Sequence, residues 1–116
     1  SPRKFFLHLV NPRLAPTGND SDVCVMYNTV IGKKDGKPTK VEYHMWEGAS
    51  DGFSGMARVT SFPAAIGAKM VGAGRFPQRG IRAPEECVEG ENYAYFMKEL
   101  KKVNISISES IEAVCG

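Results

Sequence analysis

The stretch that decides the fold is Thr29-Val30-Ile31-Gly32-Lys33-Lys34-Asp35-Gly36-Lys37-Pro38-Thr39-Lys40-Val41-Glu42-Tyr43-His44-Met45-Trp46. At its centre Asp35-Gly36 favours positive φ at both positions of a two-residue turn, which is the strongest short-range signal for a hairpin. After the turn, Val41, Tyr43 and Met45 alternate with Glu42, His44 and Trp46, the period of two that sends side chains to opposite faces of a strand. Before it, Val23, Val25 and Tyr27 alternate with Cys24, Met26 and Asn28, and β-branched Thr29-Val30-Ile31 follow. The reading is a long antiparallel hairpin.

On its N-terminal side, Phe5, Phe6, Leu9 and Val10 have helical spacing behind Ser1-Pro2, and Asn11-Pro12 disfavours continuation, so a helix is predicted over 2–10. Pro12 to Asp22 reads as a connector. On its C-terminal side, three glycines between Gly48 and Gly55 make a loop. Phe62, Ala65, Ile66, Met70 and Ala73 then share one helical face. Pro63 places the start of that helix near a Thr60 or Ser61 cap, or else kinks a longer helix that begins at Met56. Phe76 to Gly90 is a loop with at most one turn begun by Pro84-Glu85-Glu86. Tyr93, Phe96, Met97, Leu100 and Val103 make another helix, and Ile105 and Ile107 a third strand. The order helix, strand, strand, helix, helix, strand implies an α+β fold: one small domain over 1–116 with a mixed, mostly antiparallel sheet. Two or three helices are expected to cover one face.

Composition sets the limits. In 116 residues there is room for one domain, with 42% hydrophobic and 24% charged residues supporting a packed core. Fifteen Lys and Arg against 13 Asp and Glu leave a net charge of +2, spread along the chain, which argues against nucleic acid and an anionic membrane as partners. Cys24, Cys87 and Cys115 are odd in number and include no C-x-x-C pair, so reduced thiols are expected and neither a disulfide framework nor a zinc site is indicated. No apolar run approaches the ~20 residues of a bilayer span. A cytoplasmic location is expected.

Most catalytic motifs are missing. Gly72-Ala73-Gly74 is followed by Arg75-Phe76-Pro77 and closes a helix, whereas a dinucleotide site needs glycines that open one. Gly52-Phe53-Ser54-Gly55-Met56 fails the G-x-S-x-G pattern at its last place. His8 and His44 have no relay partner. Trp46, Tyr43 and Tyr27 are expected to be core beneath a helix, the alternative being an exposed aromatic patch for a partner, and Met56, Met70 and Met97 are expected to fill the core. One segment invites a ligand. If a helix begins at Ser61, its free amides and dipole suit a carboxylate or phosphate, to which Arg58, Thr60 and Ser61 could add a charge and two hydroxyls. The competing reading makes Thr60 or Ser61 a cap and Arg58 a solvated cation.

Three segments carry a family resemblance: Asp35-Gly36-Lys37-Pro38 between strands, Met56-Ala57-Arg58-Val59-Thr60-Ser61-Phe62-Pro63-Ala64-Ala65-Ile66, and Gly80-Ile81-Arg82-Ala83-Pro84-Glu85-Glu86-Cys87. In order and spacing they resemble the C-terminal part of saccharopine dehydrogenases of the glutamate-forming, or reductase, type. Lysine 6-dehydrogenases and carboxynorspermidine dehydrogenases look similar. The resemblance runs from about Pro2 to Ile107. The family pattern reads M-A-R-T-T-G-[FY]-P-A-A-I, so Val59 stands for a threonine and Ser61 for a glycine, while Arg58, Thr60 and Pro63 match.

The resemblance implies that the complete enzyme pairs a Rossmann domain holding NAD(P) with a second α/β domain, and that this chain is similar to the second alone. It implies an amino-acid substrate with carboxylates, bound near Arg58, Thr60 and Ser61, and a homodimer. The chain itself is expected to hold neither cofactor nor metal and, without the Rossmann domain, to be inactive. Its parent would be an oxidoreductase acting on a CH–NH group in lysine or amino-acid metabolism. The alternative is a stand-alone protein-binding or assembly module.

Overall fold

The computed structural model describes residues 1–15, 21–77 and 79–113. Along them run α1 (Pro2–Leu14), β1 (Val23–Lys34), β2 (Lys37–Gly48), α2 (Gly55–Gly72), α3 (Pro84–Cys87), α4 (Gly90–Lys102) and β3 (Ile107–Ala113). Residues 16–20 of the Pro12–Asp22 connector, and Cys115, lie outside the described residues.

The hairpin turns at Asp35 (φ 53°) and Gly36 (φ 78°), the two positive φ values of a tight turn whose twist matches its strands. From there β1 and β2 stay in antiparallel register back to the pair Val23 and Gly48. β3 pairs antiparallel with the other side of β2, from Thr39 opposite Ala113 to Met45 opposite Ile107, so the sheet order is β1-β2-β3. All described pairings are antiparallel, and the fold is a single α+β domain.

Alternation divides the side chains of a strand between two faces, and the face toward the helices carries Cys24, Met26, Tyr43, Met45 and Ile107, each partly buried. The register sets Val25 beside Trp46 and Tyr27 beside His44 on the opposite face. There Trp46 is 71% exposed and Tyr27 57% exposed. Tyr43 is half-buried on the inner face without joining the core cluster, and the core expectation is corrected for Trp46 and Tyr27. Met56 is likewise exposed, whereas Met70 is fully buried.

The core sits where α2 and α4 cross the inner face. Phe62, Ile66 and Met70 recur every four residues along α2 and meet Leu100 of α4, Ile105 and Met45. Each fully buried aliphatic side chain contributes about 1.5–3 kcal/mol. Glu99 of α4 is buried as well, and its carboxylate accepts from Lys102 on its own helix and from Lys69 of α2 at 3.0 Å, linking the two helices.

Three boundaries differ from the sequence expectation. α1 continues through Pro12 to Leu14, carrying the proline inside it, and none of its residues is buried. α2 begins at Gly55 instead of near Ser61 and carries Pro63 inside, the longer of the two alternatives. β3 begins at Ile107, leaving Ile105 as a buried plug before it. Among the described residues no helix is long and apolar enough to cross a membrane.

Candidate functional site

The start of α2 is built by residues far apart in sequence. Ser54 caps it, its hydroxyl accepting from the Ala57 amide at 3.0 Å. Asp22, just before β1, accepts from the Gly55 amide at 2.6 Å and the Met56 amide at 2.8 Å. These two amides hold the Asp22 carboxyl below the usual carboxylate range. The positive end of this helix thus already holds an anion, one supplied by the chain itself. Gly55 is required there: a Cβ would stand 2.8 Å from the Glu47 carbonyl oxygen.

Arg58, one turn along, points into the molecule and is 4% exposed. Its Nη1 donates to Glu47 Oε2 at 3.1 Å and to the Gly48 carbonyl at 2.7 Å. Its Nη2 donates to the carbonyls of Val103 at 3.3 Å and Asn104 at 2.8 Å. Glu47 completes the network by accepting from the Ser106 amide through Oε1 at 2.8 Å. One guanidinium therefore ties the end of β2, the start of α2 and the turn between α4 and β3, with four terminal N–H groups committed inside the protein.

Thr60 and Ser61 are brought near Arg58 in sequence but not in contact. Both lie on the exposed flank of α2. Ser61 Oγ donates to the Ala57 carbonyl at 2.6 Å, and Thr60 Oγ1 approaches Met56 Sδ at 3.7 Å. Since α2 starts six residues before Ser61, the amides around Ser61 lie in the helix interior. Exposed Met56 and Phe53 border the same flank, Phe53 packing edge-on against Phe62 with centroids 5.6 Å apart.

Behind α2 lies a half-open cleft of about 850 Å³ between α2, α4, the inner face of the sheet and the segment Phe76 to Val88. Its walls are mainly apolar, including Met26, Val71, Phe96 and Met97. Tyr43 lines it too, its phenol pushed up by burial and by Glu109. On the opposite face of the sheet, Glu42 accepts from Tyr27, Thr29 and Lys40.

Sequence reasoning missed Glu47 and Glu99. Glu47 had a signal: it follows Val41, Tyr43 and Met45 on the inward register, where a carboxylate needs a cation. Glu99 had a weaker one, its spacing from Lys102.

Gly72-Ala73-Gly74 closes α2, the Ala73 and Gly74 amides donating back to the Lys69 and Val71 carbonyls, with Gly74 at φ 68°. A pyrophosphate needs free amides at the opening of a helix, so these residues do not fit a dinucleotide. No group of three or more His, Cys, Asp or Glu among the described residues could hold a metal ion. Residues 1–105 match the model of the family described as Saccharopine dehydrogenase C-terminal domain.

Proposed function

Because the chain belongs to the saccharopine dehydrogenase C-terminal domain family, matched over residues 1–105 and so associated with an oxidoreductase, we propose that it is the substrate-side and dimerisation domain of an NAD(P)-dependent enzyme acting on the CH–NH bond of an amino acid. The family match carries this reading. NAD(P), held by a Rossmann domain elsewhere in the parent protein, would exchange the hydride.

Within this domain the exposed flank of α2 is the substrate side, with Thr60 and Ser61 offering hydroxyls to a substrate carboxylate beside apolar Met56 and Phe53. Arg58 acts on that site through the backbone it holds. To reach the carboxylate, Ser61 exchanges its bond to the Ala57 carbonyl, and a hydrogen bond to a charged group is worth about 1.5–3 kcal/mol. Replacing Thr60 and Ser61 together by alanine in the complete oxidoreductase should therefore raise KM for the amino-acid substrate at least about tenfold. An unchanged KM removes both hydroxyls from the site.

A second reading, a protein-binding or assembly module, is favoured by the exposed Trp46, Val25 and Tyr27 on the outer face of the sheet. Trp46→Ser separates the two: it abolishes assembly in the second reading and leaves KM alone in the first.

A further inference from the structure

α2 runs from Gly55 to Gly72 with Pro63 at its middle. A proline there is costly, because it has no N–H for the carbonyl four residues back and its ring pushes that carbonyl aside. The carbonyl released in α2 is that of Val59. Val59 is half-buried, and a backbone acceptor drawn out of water needs a partner. The neighbouring hydroxyls do not supply one: Ser61 Oγ donates to the Ala57 carbonyl at 2.6 Å, and Thr60 Oγ1 turns to Met56 Sδ at 3.7 Å. Backbone cost of this kind, held in place by an otherwise regular helix, gathers at binding sites.

The position of this carbonyl fits such a role. Thr60, Ala64, Gly67 and Val71 recur at helical spacing on one face of α2. Pro63, Ala64, Gly67 and Val71 line the cleft behind the helix. Thr60 therefore continues the cleft wall toward the start of α2, and Val59 stands one turn before Pro63 along it.

We infer that the Val59 carbonyl receives the α-ammonium group of the amino-acid substrate. The inference rests on the substrate side of α2 proposed above and names the atom that recognises the amino group there. An amino acid carries its ammonium and its carboxylate on one carbon, so it needs an acceptor and a donor close together. Val59 and Thr60 are adjacent: the ammonium donates to the carbonyl, and the Thr60 hydroxyl donates to the carboxylate. The ammonium makes the first of these a charge-assisted bond. Pro63 is a positioning residue, since it keeps the acceptor free of a helix amide.

The test restores the missing donor. Pro63→Ala in the complete oxidoreductase gives the Val59 carbonyl an N–H and removes a helix breaker, so Tm should rise. KM for the amino-acid substrate should rise about tenfold while kcat holds. The competitors are L-lysine and 6-aminohexanoate, the same chain without its α-amino group. Inhibition by L-lysine should weaken by a similar factor, and inhibition by 6-aminohexanoate should not change. A higher Tm with unchanged KM overturns the proposal and leaves the proline a structural role only. Equal losses for both competitors also overturn it, because they mean that the whole site is distorted. Should Pro63→Ala fail to fold, Pro63→Gly supplies the same N–H without a side chain and should raise KM likewise. The Thr60→Ala, Ser61→Ala double variant separates this inference from the reading beneath it. If the double variant raises KM and Pro63→Ala does not, the carbonyl is rejected and the substrate side stands; if neither does, both fall.

Discussion

Arg58 and Glu47 form a buried pair whose partners are all internal, and removing one member strands the other. Breaking such a pair costs about 3–5 kcal/mol because an uncompensated charge stays buried. Arg58→Ala should therefore lower unfolding stability by about that amount in urea titration. Arg58→Ala combined with Glu47→Ala should recover part of the loss, and a fully additive double variant would mean that the two are not coupled. Acid sensitivity also lives at this scale. Asp22, Glu42 and Glu99 are all held below their ordinary values, Asp22 by the Met56 and Gly55 amides, Glu42 by Lys40 and Tyr27, Glu99 by Lys102 and Lys69. A depressed folded-state pKa gives stability that is complete above the unfolded value and is lost as pH falls through the folded one. Stability should hold at neutral pH and decline below about pH 4. Asp22→Asn should make the decline shallower, and an unchanged acid profile would remove Asp22 from the account.

Among the elements, α2 carries the sharpest test. Gly55→Ala drives a Cβ against the Glu47 backbone, while at Gly72 a Cβ meets nothing within 4 Å. Gly55→Ala should lower Tm, and Gly72→Ala should raise stability by about 0.5 kcal/mol, since alanine is the better helix former. Equal effects would contradict the close approach at Gly55. The hairpin was legible because Asp35-Gly36 supplies both positive φ values locally and the alternation around it is regular. The start of α2 was only half legible. Ser54, Thr60 and Ser61 are all competent caps, and the deciding carboxylate, Asp22, sits 33 residues away from Gly55. Arg58 reads in the sequence as a carboxylate ligand or a solvated cation, and its burial was not legible, because its partners Gly48, Val103 and Asn104 act through main-chain carbonyls, which side-chain patterns do not reveal. Trp46 and Tyr27 were misassigned because alternation says which residues share a face and leaves open which face the helices cover.

At the scale of the molecule, the surfaces left open suit the proposed role of a domain that works against other protein. The outer sheet face, the flank of α2 and the cleft each expose apolar side chains, more than an isolated monomer ordinarily leaves in water. In the proposed function this chain serves a nicotinamide-linked oxidoreductase whose cofactor is held outside it. The most direct measurement is the coding sequence on the 5′ side of Ser1. If the proposed function is right, the open reading frame there encodes a strand, a G-x-G-x-x-G turn and a helix, with an acidic residue about 20 positions on. A start codon immediately before Ser1 would contradict it.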